Sequence, residues 1–321
     1  MLESASVRPP LSMKRLSFLL PLLALAASAA ADGVPPVRTA NGLKLPAPAG
    51  FEDVADYPDV AEIARVVNEA DRENRTFANF VLVAPVDLDM DANAKVPRKL
   101  DGRICDRTFF RELARQFSDE ASQAKLDRTI EKGVRKASKR VSKGLSESFG
   151  GEVTHSGVRR LPVHRTTPRS THFSLTCTVR TVDEDAESEM LQVASCAVVW
   201  LRGRILNLSV STTIADAEEP GALDAALAKT RDAVRDWEAA VVASNALLRI
   251  EGDPVSDPSE LDAEDAMAKR EGGNKLLTAR NVKKSGFDFE RLWLDVALGA
   301  FVGAVVALVN TLKKRRARHT P

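Results

Sequence analysis

Three cysteines, at positions 105, 177 and 196, carry the most reactive side chains of the chain. Cys177 and Cys196 lie on two successive predicted strands, and a hairpin centred near residues 186–187 places them opposite each other. An oxidising compartment then permits a cross-strand disulfide, and two buried free thiols are the alternative. Cys105 precedes a predicted helix, where a thiolate is favoured. No second cysteine stands at CxxC spacing, so the sequence does not indicate a redox enzyme.

Histidines and carboxylates are the next candidates, because they bind metal ions and transfer protons. His155, His164 and His172 lie in or between predicted strands without the paired spacing of metal-binding motifs. Residues 87–93 (DLDMDAN) begin like a calcium-binding loop. However, alanine replaces the turn glycine, and Arg98 stands where that loop ends in glutamate. We therefore expect a solvated acidic loop, no metal and no cofactor.

Motifs of the common enzyme classes are absent from the sequence. It contains no serine nucleophile elbow, phosphate-binding glycine loop, dinucleotide fingerprint or zinc-protease helix. Charged residues make up 28% of the chain, the net charge is +1 and aromatic residues make up 5%, so no nucleic-acid partner is expected. These features favour a non-enzymatic binding or complex-forming module. The alternative is an enzyme that acts on envelope material with dispersed catalytic residues.

The hydrophobic pattern predicts an α+β domain over residues 32–250. A buried strand is expected at 76–86, followed by a polar loop to about residue 105. Residues 152–213 alternate as an antiparallel meander, with an acidic hairpin loop at 182–189. Helical spacing predicts helices at 58–71, after Asp106, at 119–147 and at 221–248, and we expect them to pack on one face of a mostly antiparallel sheet.

The predicted helix at 119–147 has one strongly basic face. Such a face could contact an anionic lipid surface or an acidic partner, or it could be the solvated outer face of a packed helix. The basic residues are Lys125, Arg128, Lys132, Arg135, Lys136, Lys139, Arg140 and Lys143.

Residues 251–291 are polar, charged and rich in glycine, proline and serine. This composition predicts a flexible tether, with a short helix at about 259–271.

The N-terminal segment has the features of a cleavable signal peptide over residues 1–31. Met13, which we expect to be the true start, is followed by Lys14, Arg15 and a short apolar run that ends in small residues. Cleavage is expected after Ala29 or Ala31, and an uncleaved anchor is the alternative.

The apolar segment at 292–312 predicts a single transmembrane helix, because Trp293 to Leu312, twenty residues, form a helix of about 30 Å, the thickness of a hydrocarbon core. A buried helix of the domain is the alternative, which the lack of a polar face disfavours. A basic tail at 313–321 follows, which favours a cytoplasmic C-terminus. We therefore expect a single-pass protein of the cytoplasmic (inner) membrane with its domain on the periplasmic, or extracytoplasmic, side. The basic residues of the tail are Lys313, Lys314, Arg315, Arg316 and Arg318.

One face of the predicted span carries Asp295, Gly299, Gly303 and Ala307 at intervals of four. Small residues at this spacing allow two helix backbones to approach closely, and an acidic residue within a span is costly without a partner. The expected partners are therefore the lipid bilayer and, through this face, a second copy of the chain or another membrane protein.

Overall fold

The computed structural model of the chain describes residues 37–83, 88–149, 152–183, 186–214, 219–248, 252–285, 288, 291–292 and 294–297. The predicted signal peptide, the part of the apolar segment after residue 297, and the basic tail lie outside these residues. The statements below refer to the described part of the chain.

The secondary structure consists of strands and helices that largely match the predicted order. The strands are β1 (Val37–Ala40), β2 (Leu43–Pro46), β3 (Phe51–Asp53), β4 (Asn74–Val83), β5 (Leu88–Pro97), β6 (Glu152–Arg160), β7 (Arg165–Thr166), β8 (Ser170–Asp183), β9 (Ala186–Leu201) and β10 (Arg204–Ile214). The helices are α1 (Pro58–Ala70), α2 (Arg107–Ser118), α3 (Glu120–Phe149), α4 (Ala222–Asn245), α5 (Pro258–Gly272) and α6 (Ala279–Ser285).

The main sheet has eight strands in the order β3-β4-β5-β10-β9-β8-β6, with β7 also paired to β8. Every pairing in it is antiparallel, and β8, β9 and β10 form the predicted meander. The turn between β9 and β10 is tight, because Arg202 and Gly203 both have positive φ (49° and 73°). A Cβ at Gly203 would also lie 2.8 Å from the Cβ of Ala268. Both the positive φ and this close approach therefore require glycine.

The predicted polar loop before residue 105 is wrong over residues 88–97, which form strand β5 between β4 and β10. Its Asp91, Asn93 and Lys95 alternate with apolar residues but are themselves buried, at 0–4% exposure. Lys95 lies 3.2 Å from the carboxylate of Asp71, so the buried charge is compensated. A strand with a buried polar face looks like a solvated segment in the sequence.

Helices cover both faces of the sheet rather than the single face expected from the sequence. On one face, Trp237 of α4 donates from Nε1 to the carbonyl oxygen of Pro46 (2.7 Å) and makes an edge contact with Phe80 (6.0 Å between ring centroids). On the other face, Phe117 of α2 packs against Phe173 of β8 (4.6 Å). The central strand β9 is buried from residue 192 to residue 201, so both of its faces need cover. The α+β class with a mostly antiparallel sheet is confirmed.

The segment predicted to be a flexible tether instead packs on the domain over its described residues. Val255, Leu261 and Ala268 are buried. Arg169, immediately before β8, binds both carboxylate oxygens of Glu264 in α5, each at 2.9 Å, and both side chains are fully buried. The tether prediction is therefore wrong here, because polar residues that look solvated form a buried ion pair. The predicted short helix corresponds to α5.

Residues 291–297, where the predicted span begins, lie against the domain; residue 293 is not described. Asn74 donates to the carbonyl oxygen of Asp295 (2.7 Å), and Asn207 donates to that of Val296 (3.0 Å). The side chain of Asp295 is buried and lies 3.5 Å from Lys99 Nζ. We call residues 291–297 the docked turn. Within the described residues, the search for a helix of sufficient length and apolarity to cross a membrane found none.

Candidate functional site

A serine, a histidine and a glutamate meet in the core, which is the combination that many hydrolases use. His172 Nε2 lies 2.7 Å from Glu238 Oε2 and 3.2 Å from Ser170 Oγ. In a catalytic relay the serine and the carboxylate bind different ring nitrogens, whereas here both approach Nε2. All three side chains are at most 1% exposed, so a substrate has no access to the hydroxyl. The cluster joins β8 to α4 and is structural.

The hairpin register that would place Cys177 opposite Cys196 is wrong, because the hairpin is centred elsewhere, and the alternative of buried free thiols applies. Cys177 lies opposite Gln192, and Cys196 lies opposite Phe173. The loop falls between Asp183 and Ala186, and moving the centre by two residues moves each partner by four. Cys105, Cys177 and Cys196 are all buried free thiols. Burial raises the pKa of each thiol, to about 12 for Cys105, so the thiolate that helix α2 could favour does not form.

We expect none of the three thiols to react with a maleimide in the folded protein at pH 7, because buried thiols with raised pKa values are neither accessible nor nucleophilic. All three should react in denaturant without a reducing agent. Mass spectrometry of the labelled chain counts the reactive thiols. A mass corresponding to one label in denaturant would instead establish a disulfide.

The histidines and acidic residues do not form a metal site within the described part of the chain, where no group of three or more potential ligands was found. Asp91, from the calcium-like segment, accepts a hydrogen bond from Ser211 inside the sheet. His164 is exposed and His172 belongs to the core cluster. His155 lies elsewhere, on the edge strand β6.

The basic face of α3 points to solvent as predicted, with one exception. Arg140 donates to the carbonyl oxygen of Ala70 (2.9 Å) and pairs with Glu73 (2.6 Å). Four other cations are exposed and make neither an ion pair nor a side-chain hydrogen bond with the described residues; we call these four the basic surface. They are Lys132, Arg135, Lys136 and Lys139.

The spacing of the basic surface carries a cost in stability. Lys132 and Lys136 are four residues apart, as are Arg135 and Lys139, and like charges at this spacing destabilise a helix by about 0.2–0.5 kcal/mol per pair. An arrangement of this kind lowers the stability of the free domain and strengthens its attraction to anions.

The basic surface borders a groove between α3 and the edge strand β6, with a volume of about 660 Å³. We call it the α3–β6 groove. Strand β6 ends the sheet, and serines of α3 bind its outer backbone: Val153 N–H donates to Ser142 Oγ (3.2 Å) and His155 N–H donates to Ser138 Oγ (2.9 Å). The helix thereby protects the free edge. The groove is lined by Arg135, Ser138, Lys139, Ser142, Lys143, Ser146, Glu147, Thr154 and His155.

His155 brings an unpaired donor to the wall of this groove. Ser138 Oγ lies 2.8 Å from His155 Nδ1 but 3.5 Å from the carbonyl oxygen of Val153, so the shorter contact favours donation of its hydrogen to Nδ1. We assign the ring proton to Nε2 on this ground. Nε2 is buried and has no hydrogen-bond partner in the described structure, which costs about 1–3 kcal/mol. Burial lowers the pKa of His155 to about 4, so the ring is neutral at pH 7.

Helix α3 also contacts the docked turn. An added Cβ at Gly133 would lie 2.2 Å from Leu294 Cδ1, so the absence of a side chain at Gly133 allows this close approach. Lys132, of the basic surface, is the neighbouring residue on α3. The cationic helix therefore lies directly beside the point where the apolar C-terminal segment leaves the described domain.

The sequence identified the basic residues of α3 but not the groove. Ser138, Ser142 and Ser146 repeat at intervals of four on the same helix, and this repeat was the available signal. Of the predicted transmembrane face, the structure describes Asp295, which contacts Lys99 of its own domain. Gly299, Gly303 and Ala307 lie outside the described residues. The same holds for the basic tail residues Lys313, Lys314, Arg315, Arg316 and Arg318.

Comparison of the chain with known protein families, with curated proteins and with solved structures found no match in any of the three. The proposals below therefore rest on the residues and the geometry.

Proposed function

We propose that the protein is a non-enzymatic binding module, anchored by its C-terminal segment in the cytoplasmic membrane with its domain on the extracytoplasmic side. In this proposal the basic surface of α3 binds acidic headgroups of the same membrane. The observation that supports it is the contact between Gly133 and Leu294, because Leu294 belongs to the apolar segment that we propose as the anchor.

The sequence supports the anchor and its orientation. A positively charged start, a short apolar run and small residues precede the domain, and a long apolar segment with a basic tail follows it. The docked turn adds a geometric requirement. Because the domain holds the chain to residue 297, residues 298–312 remain for the span, about 22 Å as a helix, against a hydrocarbon core of about 30 Å. A short span of this kind keeps the domain near the bilayer surface and is accommodated by local thinning of the bilayer, by snorkelling of flanking residues or by oligomerisation. Whether α3 faces the headgroups then depends on their charge.

The electrostatics support binding of headgroups. A basic residue near an anionic lipid surface contributes about 1 kcal/mol, so the four residues of the basic surface contribute about 4 kcal/mol. The contribution falls with added salt, because the screening length shortens to about 8 Å at physiological ionic strength.

A single introduced cysteine tests this proposal, since the three native thiols are buried. Ala124 is exposed on α3, and we expect Ala124→Cys in the full chain to react with a membrane-impermeant maleimide added outside intact cells. With a fluorophore at this position, energy transfer to headgroup-labelled lipid should rise when the protein is moved from nanodiscs of phosphatidylcholine to nanodiscs containing phosphatidylglycerol.

The matched control replaces the basic surface, Lys132, Arg135, Lys136 and Lys139, with glutamine in the same labelled chain. Energy transfer should then be equal in the two lipids. Labelling only after the cells are lysed would contradict the extracytoplasmic location, and equal energy transfer in both lipids for the unsubstituted helix would contradict headgroup binding.

A further inference from the structure

We infer that the α3–β6 groove is a specific binding site for a phosphate group, held by Arg135, Lys139 and the Nε2–H of His155. The inference rests on the proposed function, because it names the ligand class that the basic side of the domain recognises. It goes beyond that function because it assigns a defined pocket. Attraction of headgroups to the basic surface requires no pocket.

The groove concentrates the cations that are available to a ligand. Arg135 and Lys139 are one helical turn apart, line the groove and have no carboxylate partner among the described residues. Lys143 also lines it but lies 3.8 Å from Glu147 at the same end, which partly neutralises that end. The positive field is therefore strongest between Arg135 and Lys139.

The groove also supplies neutral donors. Ser142 accepts from the Val153 N–H, so its hydroxyl hydrogen is free to donate. Ser146 and Thr154 add two more hydroxyls to the lining. A phosphate group carries three strong acceptor oxygens and up to two negative charges, which two cations and several hydroxyls can match. A carboxylate, with one charge and two oxygens, leaves more of these donors unpaired.

His155 distinguishes this groove from an ordinary basic surface. Its side chain is 92% buried, yet its Nε2–H has no acceptor in the described structure, and Ser138 fixes the ring through Nδ1. A buried donor held in one orientation is expected where a ligand oxygen supplies the missing acceptor. Burial keeps the ring neutral, with a pKa of about 4, so it acts as a hydrogen-bond donor and not as a charge.

Two double variants of α3 test the inference. Arg135→Gln with Lys139→Gln removes two cations from the groove. Lys125→Gln with Arg128→Gln removes two from the same helix, outside both the groove and the basic surface. All four side chains are exposed, so both variants should fold. The full chain in neutral detergent is titrated with inorganic phosphate by calorimetry, against chloride at equal ionic strength.

We expect saturable phosphate binding with a dissociation constant of about 1 mM or tighter, lost at least tenfold in the groove variant and unchanged in the control variant. The His155 Nε2–H resonance should shift during the titration. In a second arm, nanodiscs with and without phosphatidic acid identify the source. Groove-dependent binding of inorganic phosphate assigns a free phosphate, and groove-dependent binding of phosphatidic acid alone assigns a lipid headgroup.

Equal losses in the two double variants, or no saturable binding in either arm, would overturn the inference. The proposed function would survive that result if the fluorescence experiment still showed headgroup contact. If that experiment failed while the groove bound phosphate, the site would stand without its membrane role.

Discussion

Replacement of Glu264 by alanine is expected to lower the free energy of unfolding by about 3–5 kcal/mol, because it leaves a buried guanidinium without its counter-charge. Arg169 binds both oxygens of Glu264 and also donates to the carbonyl oxygens of Pro254 and Val255. The Arg202 N–H donates to the same carboxylate (3.1 Å). The pair thus fastens α5 and the segment before it to the sheet. Urea unfolding of the full chain in detergent, followed by tryptophan fluorescence, measures the loss, since Trp200 and Trp237 are both buried.

The control lies on the same helix. Asp262 pairs with Arg107 at 3.0 Å but its side chain is 70% exposed, so Asp262→Ala should change stability by about 0–1 kcal/mol. Arg169→Met combined with Glu264→Leu should recover much of the loss, because an apolar pair needs no compensation. Equal effects of Glu264→Ala and Asp262→Ala would show that α5 is not held by the buried pair.

Acidification from pH 7 to pH 4 is expected to destabilise the domain by about 3 kcal/mol through His155 alone. Its pKa falls from 6.5 to about 4 on folding because of burial. Between these values the unfolded chain binds a proton that the folded chain does not, so stability is lost as the pH falls. The charged residues that line the same groove are Arg135, Lys139, Lys143 and Glu147, and burial is the cause of the lowered pKa of His155.

The measurement is the urea midpoint as a function of pH, compared between the wild type and two variants. His155→Gln should flatten the profile above pH 4.5. Burial and neighbouring cations also lower the pKa of His164 to about 4, but its side chain is exposed and solvent screens its charge, so His164→Gln should flatten the profile much less than His155→Gln. Carboxylates with lowered pKa values, such as Asp53 and Asp265, titrate below this window. A steep profile that persists in His155→Gln would assign the acid sensitivity to another group.

The strands of the meander and most helices could be predicted because their burial follows simple periods. The β8–β10 strands alternate or are continuously apolar, and α2 begins at Asp106, which accepts from the Phe109 N–H as an N-cap should (2.9 Å). In these elements apolar residues are buried, so the residue type alone indicates whether a position faces the core. The α+β class followed from their order along the chain.

Strand β5 and helix α5 show where this reasoning fails. Their polar residues are buried in pairs whose partners lie far away in sequence: Lys95 with Asp71, and Glu264 with Arg169. Considered alone, Lys95 and Glu264 each predict a solvent-exposed position. Only the distant partner shows that the charge can be buried. The predicted register of Cys177 against Cys196 was wrong for a different reason, because a hairpin loop two residues away from the assumed centre changes the whole register.

The sequence predicted the cations of the candidate site but neither the groove nor the role of His155. The cations of α3 stand at helical spacing and point outward as predicted. The groove depends on β6 lying along the same helix, and the role of His155 depends on Ser138 fixing one tautomer. Neither relation follows from spacing, since residues 138 and 155 belong to different elements.

The docked turn also constrains when the protein can finish folding. Asn74 and Asn207, on strands made early, donate to carbonyl oxygens of residues 295 and 296, which are among the last parts of the domain to be synthesised. Folding along the chain from the N-terminus must therefore wait for the segment that we propose enters the membrane. In the proposed topology, maturation of the domain and insertion of its anchor become a single event. A chain that stops before residue 295 lacks the two backbone acceptors that Asn74 and Asn207 bind.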